Sequence, residues 1–102
     1  ENVNKTMKTL INEFLDGSIE GITGSSSSPG NLKIKGDQLI HFSTPIFERM
    51  ENYYILNMTR YSIQTGRLQK LIMELVPEKN IVVVLKVPMD YHGSLKNYMS
   101  EA

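Results

Sequence analysis

The chain has 102 residues, 40% of them apolar and 22% charged, with no cysteine and a formal net charge of zero. That length holds one domain, which buries roughly two-thirds of its unfolded surface and can build a core without staples. Disulfides and thiolate metal sites are excluded, and the neutral balance argues against a dedicated duplex-DNA binder, which carries a clear basic excess. The best apolar run, IVVVL at 81–85, is far too short for a membrane span, so no membrane partner is expected. No secretory leader is read, and Glu1 implies a lost initiator Met or a tag. The glycosylation sequons NKT (4–6) and NMT (57–59) are therefore taken as chance.

In VNKTMKTLINEFL, residues 3–15, Val3, Met7, Leu10, Ile11 and Phe14 recur at helical spacing and predict an amphipathic helix that stops at Gly17. GSIEGITGSSSSPGN, residues 17–31, is rich in Gly and Ser and reads as a flexible connection, with an exposed loop expected at 23–30. From Asn31 the period changes to two. NLKIK, the turn dipeptide Gly36-Asp37 and QLIHF predict a hairpin over 31–43. Pro45 opens a further segment, IFERM at 46–50, and YYILNM at 53–58 returns as a second hairpin. Residues 63–76 place Leu68, Leu71, Ile72 and Leu75 at i, i+3, i+4 and i+7, a second helix that Pro77 ends. NIVVVLKV, 80–87, is β-branched on both faces and reads as a central strand. SLKNYM, 94–99, is a short terminal helix capped by Ser94.

The order α-β-β-β-β-α-β-α predicts a single α+β domain over 1–102. A meandering antiparallel sheet of four to five strands is packed by helices 3–15 and 63–76. The expected core is Met7, Leu10, Ile11, Phe14, Leu32, Ile34, Leu39, Ile46, Ile55, Leu68, Leu71, Ile72, Leu75, Val82, Val84 and Tyr98.

Enzyme signatures are soon exhausted. His41 falls in a predicted strand and His92 in a Pro/Asp/Gly loop, and neither has a second ligand at metal-binding spacing. There is no phosphate loop, dinucleotide fingerprint or nucleophile elbow, so no catalytic residue, metal or cofactor is assigned. The exception is the strand-to-helix junction TRYSIQTGRLQK, 59–70. Ser62 or Thr65 can cap the helix. Arg67 and Lys70 stand where the helix dipole prefers acids, and Arg60 at the strand end can reach the same rim. Free N–H groups with cations beside them suit a phosphate or carboxylate; the plainer reading is a capped helix start with a solvated cationic face. Tyr53 and Tyr54 point to opposite sheet faces, so one of them is expected outside the core. With Tyr61 they are candidate partner-binding aromatics, against cross-strand packing as the alternative.

The stretch GNLKIKGDQLIHFSTPIFERMENYYILNMTRYSIQTGRLQKLI resembles a family of small uncharacterised proteins of phages, plasmids and their bacterial hosts. The family pattern is N-L-x-I-x-G-x-x-L-x-x-[YF]-x-T-x-I-A, a hairpin, then N-x-T-[KR]-Y-S-x-T-T-x-[KR]-x-Q. Here the matches are Asn31, Leu32, Ile34, Gly36, Leu39, Phe42, Thr44, Ile46, Asn57, Thr59, Arg60, Tyr61, Ser62, Thr65, Arg67 and Gln69. Phe47 replaces the usual Ala, and Gln64 replaces the first Thr of the Thr-Thr pair. The resemblance covers about 40 residues. It implies a mobile-element origin, a bacterial cytoplasm and no established activity. Small proteins of this kind are often inhibitors of host machinery, anti-CRISPR and other anti-defence proteins among them. The expectation is therefore a non-enzymatic inhibitor or adaptor that binds a protein partner. A nucleic-acid or nucleotide module using 59–70 is the alternative. A homodimer through a sheet edge or an outward Tyr53 or Tyr54 is expected, because zero net charge gives little repulsion between copies.

Overall fold

A computed structural model describes residues 6–24 and 29–99. The elements are α1 (Met7–Leu15), β1 (Glu20–Gly24), β2 (Pro29–Lys35), β3 (Gln38–His41), β4 (Thr44–Arg49), β5 (Tyr54–Asn57), α2 (Ile63–Leu75) and β6 (Ile81–Val84). Short 3-10 turns cover Glu78–Asn80 and Leu95–Tyr98. The domain is α+β, as the patterning predicts, with a larger sheet: six strands in sequence order. Pairing is antiparallel from β1 to β5, and β6 joins β5 in parallel. The run 80–87 is thus an edge strand and not a central one, and β5-α2-β6 is a crossover unit in which the intervening helix returns the chain to the same direction.

The stretch 17–31 is more ordered than its composition implies, since Glu20–Gly24 and Pro29–Gly30 lie in paired strands. Residues 25–28 of the expected loop, like 3–5 of the expected first helix, fall outside the described residues. Gly30 is small for a reason of packing: a Cβ there would run into the Thr23 side chain. Thr23 is buried, and its Oγ1 donates to the Leu32 carbonyl at 3.2 Å.

Helices α1 and α2 cover one face of the sheet. Leu10, Ile11 and Phe14 of α1 and Leu68 and Ile72 of α2 meet Leu32, Ile34, Leu39, Ile46, Phe47 and Leu56. Phe47 is absent from the expected core because strict alternation puts it opposite Ile46. A bulge in β4 breaks that alternation: Leu39 pairs with Phe47 and Ile40 with Pro45, which leaves Ile46 unpaired and both side chains buried. The C-terminal segment covers part of the other face, where Ile55, Val84, Val87 and Leu95 form a second cluster flanked by Tyr53, Tyr91 and Tyr98.

Two charged side chains fasten these layers. Arg49 donates to the carbonyls of Phe14, Ser18 and Gly36, pairs with Asp37 at 3.3 Å and lies 4.3 Å above the Phe14 ring. A cation thereby sits at the C-terminal end of α1, where the dipole favours it. Glu48 is buried and accepts from Gln38 Nε2 (3.0 Å), Leu95 N–H (2.7 Å) and Ser94 Oγ (2.6 Å), which holds the 95–98 turn on the sheet. No helix among the described residues is long and apolar enough to cross a membrane.

Candidate binding cleft at the start of α2

The junction 57–69 is built by a hydrogen-bond network that consumes most of its polar side chains. Asn57 is fully buried; its Nδ2 donates to the Pro45 carbonyl and to Tyr61 Oη, each at 3.0 Å, and its Oδ1 accepts the Thr59 N–H at 3.0 Å. Tyr61 Oη donates in turn to the Val87 carbonyl, and Thr59 Oγ1 accepts the Val87 N–H at 2.9 Å. Gln69, one helical turn on, donates to the carbonyls of Asn57 (2.7 Å) and Thr59 (3.0 Å). Ser62 is the N-cap of α2: its backbone is extended and its Oγ accepts the Thr65 N–H at 3.2 Å. Thr65, the other candidate cap, is buried against His41, with Oγ1 3.0 Å from Nδ1.

The sequence candidates therefore separate. Ser62, Thr65 and Tyr61 serve the fold. Tyr54 stacks on Phe47 at 4.9 Å in the helix-covered core, and Tyr53 reaches Met99 Sδ at 3.7 Å in the second cluster. The two rings do take opposite faces, but each packs against a cluster, which corrects the expectation of an outward tyrosine. Arg60, Arg67 and Lys70 are exposed and have no hydrogen-bond or ion-pair partner among the described residues. They do not converge on one spot: Arg60 opens onto a groove with Met58 and Gly66, Arg67 onto another with Asn31 and Leu32.

Between those two grooves lies a cleft of about 560 Å³ that the sequence reading did not anticipate. Its apolar walls are Phe42, Ile46, Tyr61, Ile63 and Met89, with His41 and Thr65 also lining it. Phe42, Ile63 and Met89 are 47%, 79% and 70% exposed, unusual for side chains of their kind gathered in one place. Two local devices position them. Phe42 and Ser43 form the two-residue turn between β3 and β4 with φ of +51° and +73°, the primed-turn geometry normally given to Asn-Gly. Met89 is carried in by the 88–90 loop, which is pinned where the Asp90 N–H donates to Thr44 Oγ1 at 2.9 Å. The Phe-Ser pair carries no turn signal, so periodicity hid this hairpin; the one clue was Thr44-Pro45 directly after it.

His41 is 5% exposed, its ring edge-on to Phe42 at 4.4 Å, and burial lowers its pKa from 6.5, which favours the neutral imidazole. Its Nδ1 faces Thr65, while its Nε2 has no partner among the described residues. Since none of their buried side-chain nitrogens or oxygens is unpaired, Nε2 is reached by solvent, and the ring lines both the cleft and the groove of Arg67. Among the described residues, no Asp or Glu lines the cleft or either flanking groove, and no group of three His, Asp or Glu side chains gathers as a metal site.

Comparison with known proteins finds no matching family model, no matching curated protein and no matching solved structure.

Proposed function

We propose that this protein is a non-enzymatic binding module that acts by covering part of a protein partner. Its contact face is the cleft between the β3–β4 turn and the start of α2. The observation that carries this reading is the grouping of Phe42, Ile63 and Met89, three well-exposed apolar side chains around one concave surface. Such a patch is a normal hot spot for protein association, where a few anchors supply most of the energy. An inhibitor of host machinery, working in a bacterial cytoplasm as the family resemblance implies, fits a surface that occludes and carries out no chemistry. The test is capture from a nuclease-treated bacterial lysate by the wild type, by Phe42→Asp and by Ile19→Asp. Ile19 is 66% exposed and lies outside the cleft. A partner kept by Ile19→Asp and lost with Phe42→Asp supports the reading; equal capture by both variants refutes it.

The exposed cations Arg60, Arg67 and Lys70 favour a second reading, a nucleic-acid or nucleotide module using the same junction. A salt titration separates the two. Phosphate-driven binding falls steeply as salt rises, and apolar occlusion hardly changes.

A further inference from the structure

We infer that the cleft recognises the free C-terminus of its partner, holding the last, apolar side chain between Phe42, Ile63 and Met89 and the terminal carboxylate at the first turn of α2 beside His41. The inference rests on the protein-binding reading above and names the part of the partner that is held. Three observations carry it. First, the N–H groups of Ile63 and Gln64, the first two of a 13-residue helix, have no acceptor among the described residues, because the Ser62 side chain takes the Thr65 N–H and the Ser62 carbonyl the Gly66 N–H. Second, His41 is 95% buried and lines the cleft, and its Nε2 has no partner among the described residues. The hydroxyl chain Ser62–Thr65–His41, with contacts of 3.2 and 3.0 Å, lets Thr65 donate to Nδ1 and leaves Nε2–H as an unused donor. Third, the charges are one-sided. Arg60 and Arg67 flank the cleft through grooves that share Ile63 and Gln64 with it, and no carboxylate among the described residues lines any of the three.

The occupant is thus an anion joined to an apolar group. Ile63 is at once the first free N–H and part of the apolar wall, so both groups must arrive within one residue of each other. A C-terminal residue meets this condition, since its carboxylate and side chain share one Cα. Two consecutive N–H groups also match the two oxygens of one carboxylate, the usual way a chain terminus is captured.

The test uses the full chain and three hexapeptides of otherwise equal sequence: one ending in leucine with a free carboxylate, the same peptide as its amide, and an amide with an internal Leu-Glu pair. Binding is followed through the backbone amide signals of residues 41–43 and 62–65. We expect the free acid to bind about tenfold or more tightly than either amide, the effect of a charge-assisted hydrogen-bond pair. Ile63→Pro removes one N–H at a position where proline suits the helix, because Ser62 before it is extended. Ile63→Ala removes the side chain and keeps the N–H. The alanine variant should weaken all three peptides alike and keep the preference, and the proline variant should erase it. Equal binding of acid and amide, lost in both with Phe42→Asp, overturns the C-terminus while leaving the protein-binding reading in place. Equal or tighter binding of the Leu-Glu peptide transfers the site to an internal acid and overturns it too, as does no binding by any peptide.

Discussion

Two neighbouring regions of this molecule use their residues in opposite ways. Between Asn57 and Gln69 the polar side chains look like a ligand site in the sequence, yet Asn57, Thr59, Tyr61, Ser62, Thr65 and Gln69 are bonded inside the domain. Around the cleft the reverse holds. Phe42 and Ser43 sit at positive φ without glycine, and Phe42, Ile63 and Met89 stay in water. The polar side chains of the first region are satisfied within the domain and need no ligand to explain them. The second breaks several rules of local consistency with no gain to the fold, and such violations mark function more reliably than a dense motif does.

The sharpest way to break this comparison is to remove the centre of the network. Asn57→Ala orphans the Pro45 carbonyl, the Thr59 N–H and one contact of Tyr61 at once. It should cost about 3 kcal/mol in chemical denaturation, the sum expected when buried partners go unsatisfied. A loss below 1 kcal/mol would mean that water replaces the side chain and that the junction is looser than its hydrogen bonds imply. Ser62→Ala tests the edge of the same network and should cost about 1 kcal/mol as the lost N-cap of α2.

At the cleft the sign reverses. Ser43→Gly relieves a left-handed residue and should stabilise by roughly 1 kcal/mol. Phe42→Gly relieves its neighbour in the same way but removes a wall of the cleft. The expected pattern is a protein at least as stable as wild type in both cases, with partner capture kept in the first and lost in the second. Stabilisation with capture intact in both would strip Phe42 of its assigned role.

How much of this was legible from sequence follows the same division. The 3.6-residue stripe of α1, the i, i+3, i+4, i+7 set of α2 and the alternation of Leu32 and Ile34 are local signals, and from Met7 onward their residues pack in or against the core, with Met7, Leu71 and Leu75 partly buried. The misread parts are non-local. Glycine reads as linker until Thr23 is seen pressing on Gly30. The bulge at Ile46 depends on pairing with β3, and the parallel seating of β6 depends on the crossover through α2. The 59–70 candidates were legible as a cluster, but which atoms were already committed depended on Pro45 and Val87, far off in the chain. The cleft itself was invisible, because its walls come from three segments that periodicity treats separately.

His41 joins the two regions, and its effect is read as a slope with pH. Burial lowers its folded pKa below 6.5, so as pH falls the unfolded chain takes up the proton first. The stability that His41 contributes is complete above 6.5 and is lost as pH drops through that value towards the lowered folded pKa. His41→Gln, which keeps a hydrogen-bonding group towards Thr65, should flatten this part of the stability profile. An unchanged slope would place the titration elsewhere.

The smallest effect discriminates best between a solvated cationic face and a working one. Arg67 is exposed and has no acidic partner among the described residues, and it lies near the start of α2, where the helix dipole opposes its charge. Arg67→Glu should therefore stabilise the isolated protein by a few tenths of a kcal/mol at low salt, with the gain fading as salt screens it. Arg67 also shares a groove with His41 and Gln64, beside which the partner's carboxylate is proposed to sit. Reversing its charge should weaken capture of an acid-bearing partner even as the fold tightens. The measurement is a paired one, thermal unfolding and partner affinity on the same variant at two salt concentrations. Higher stability with unchanged affinity would leave Arg67 a solvated side chain and confine the cleft's anion preference to its N–H groups and His41.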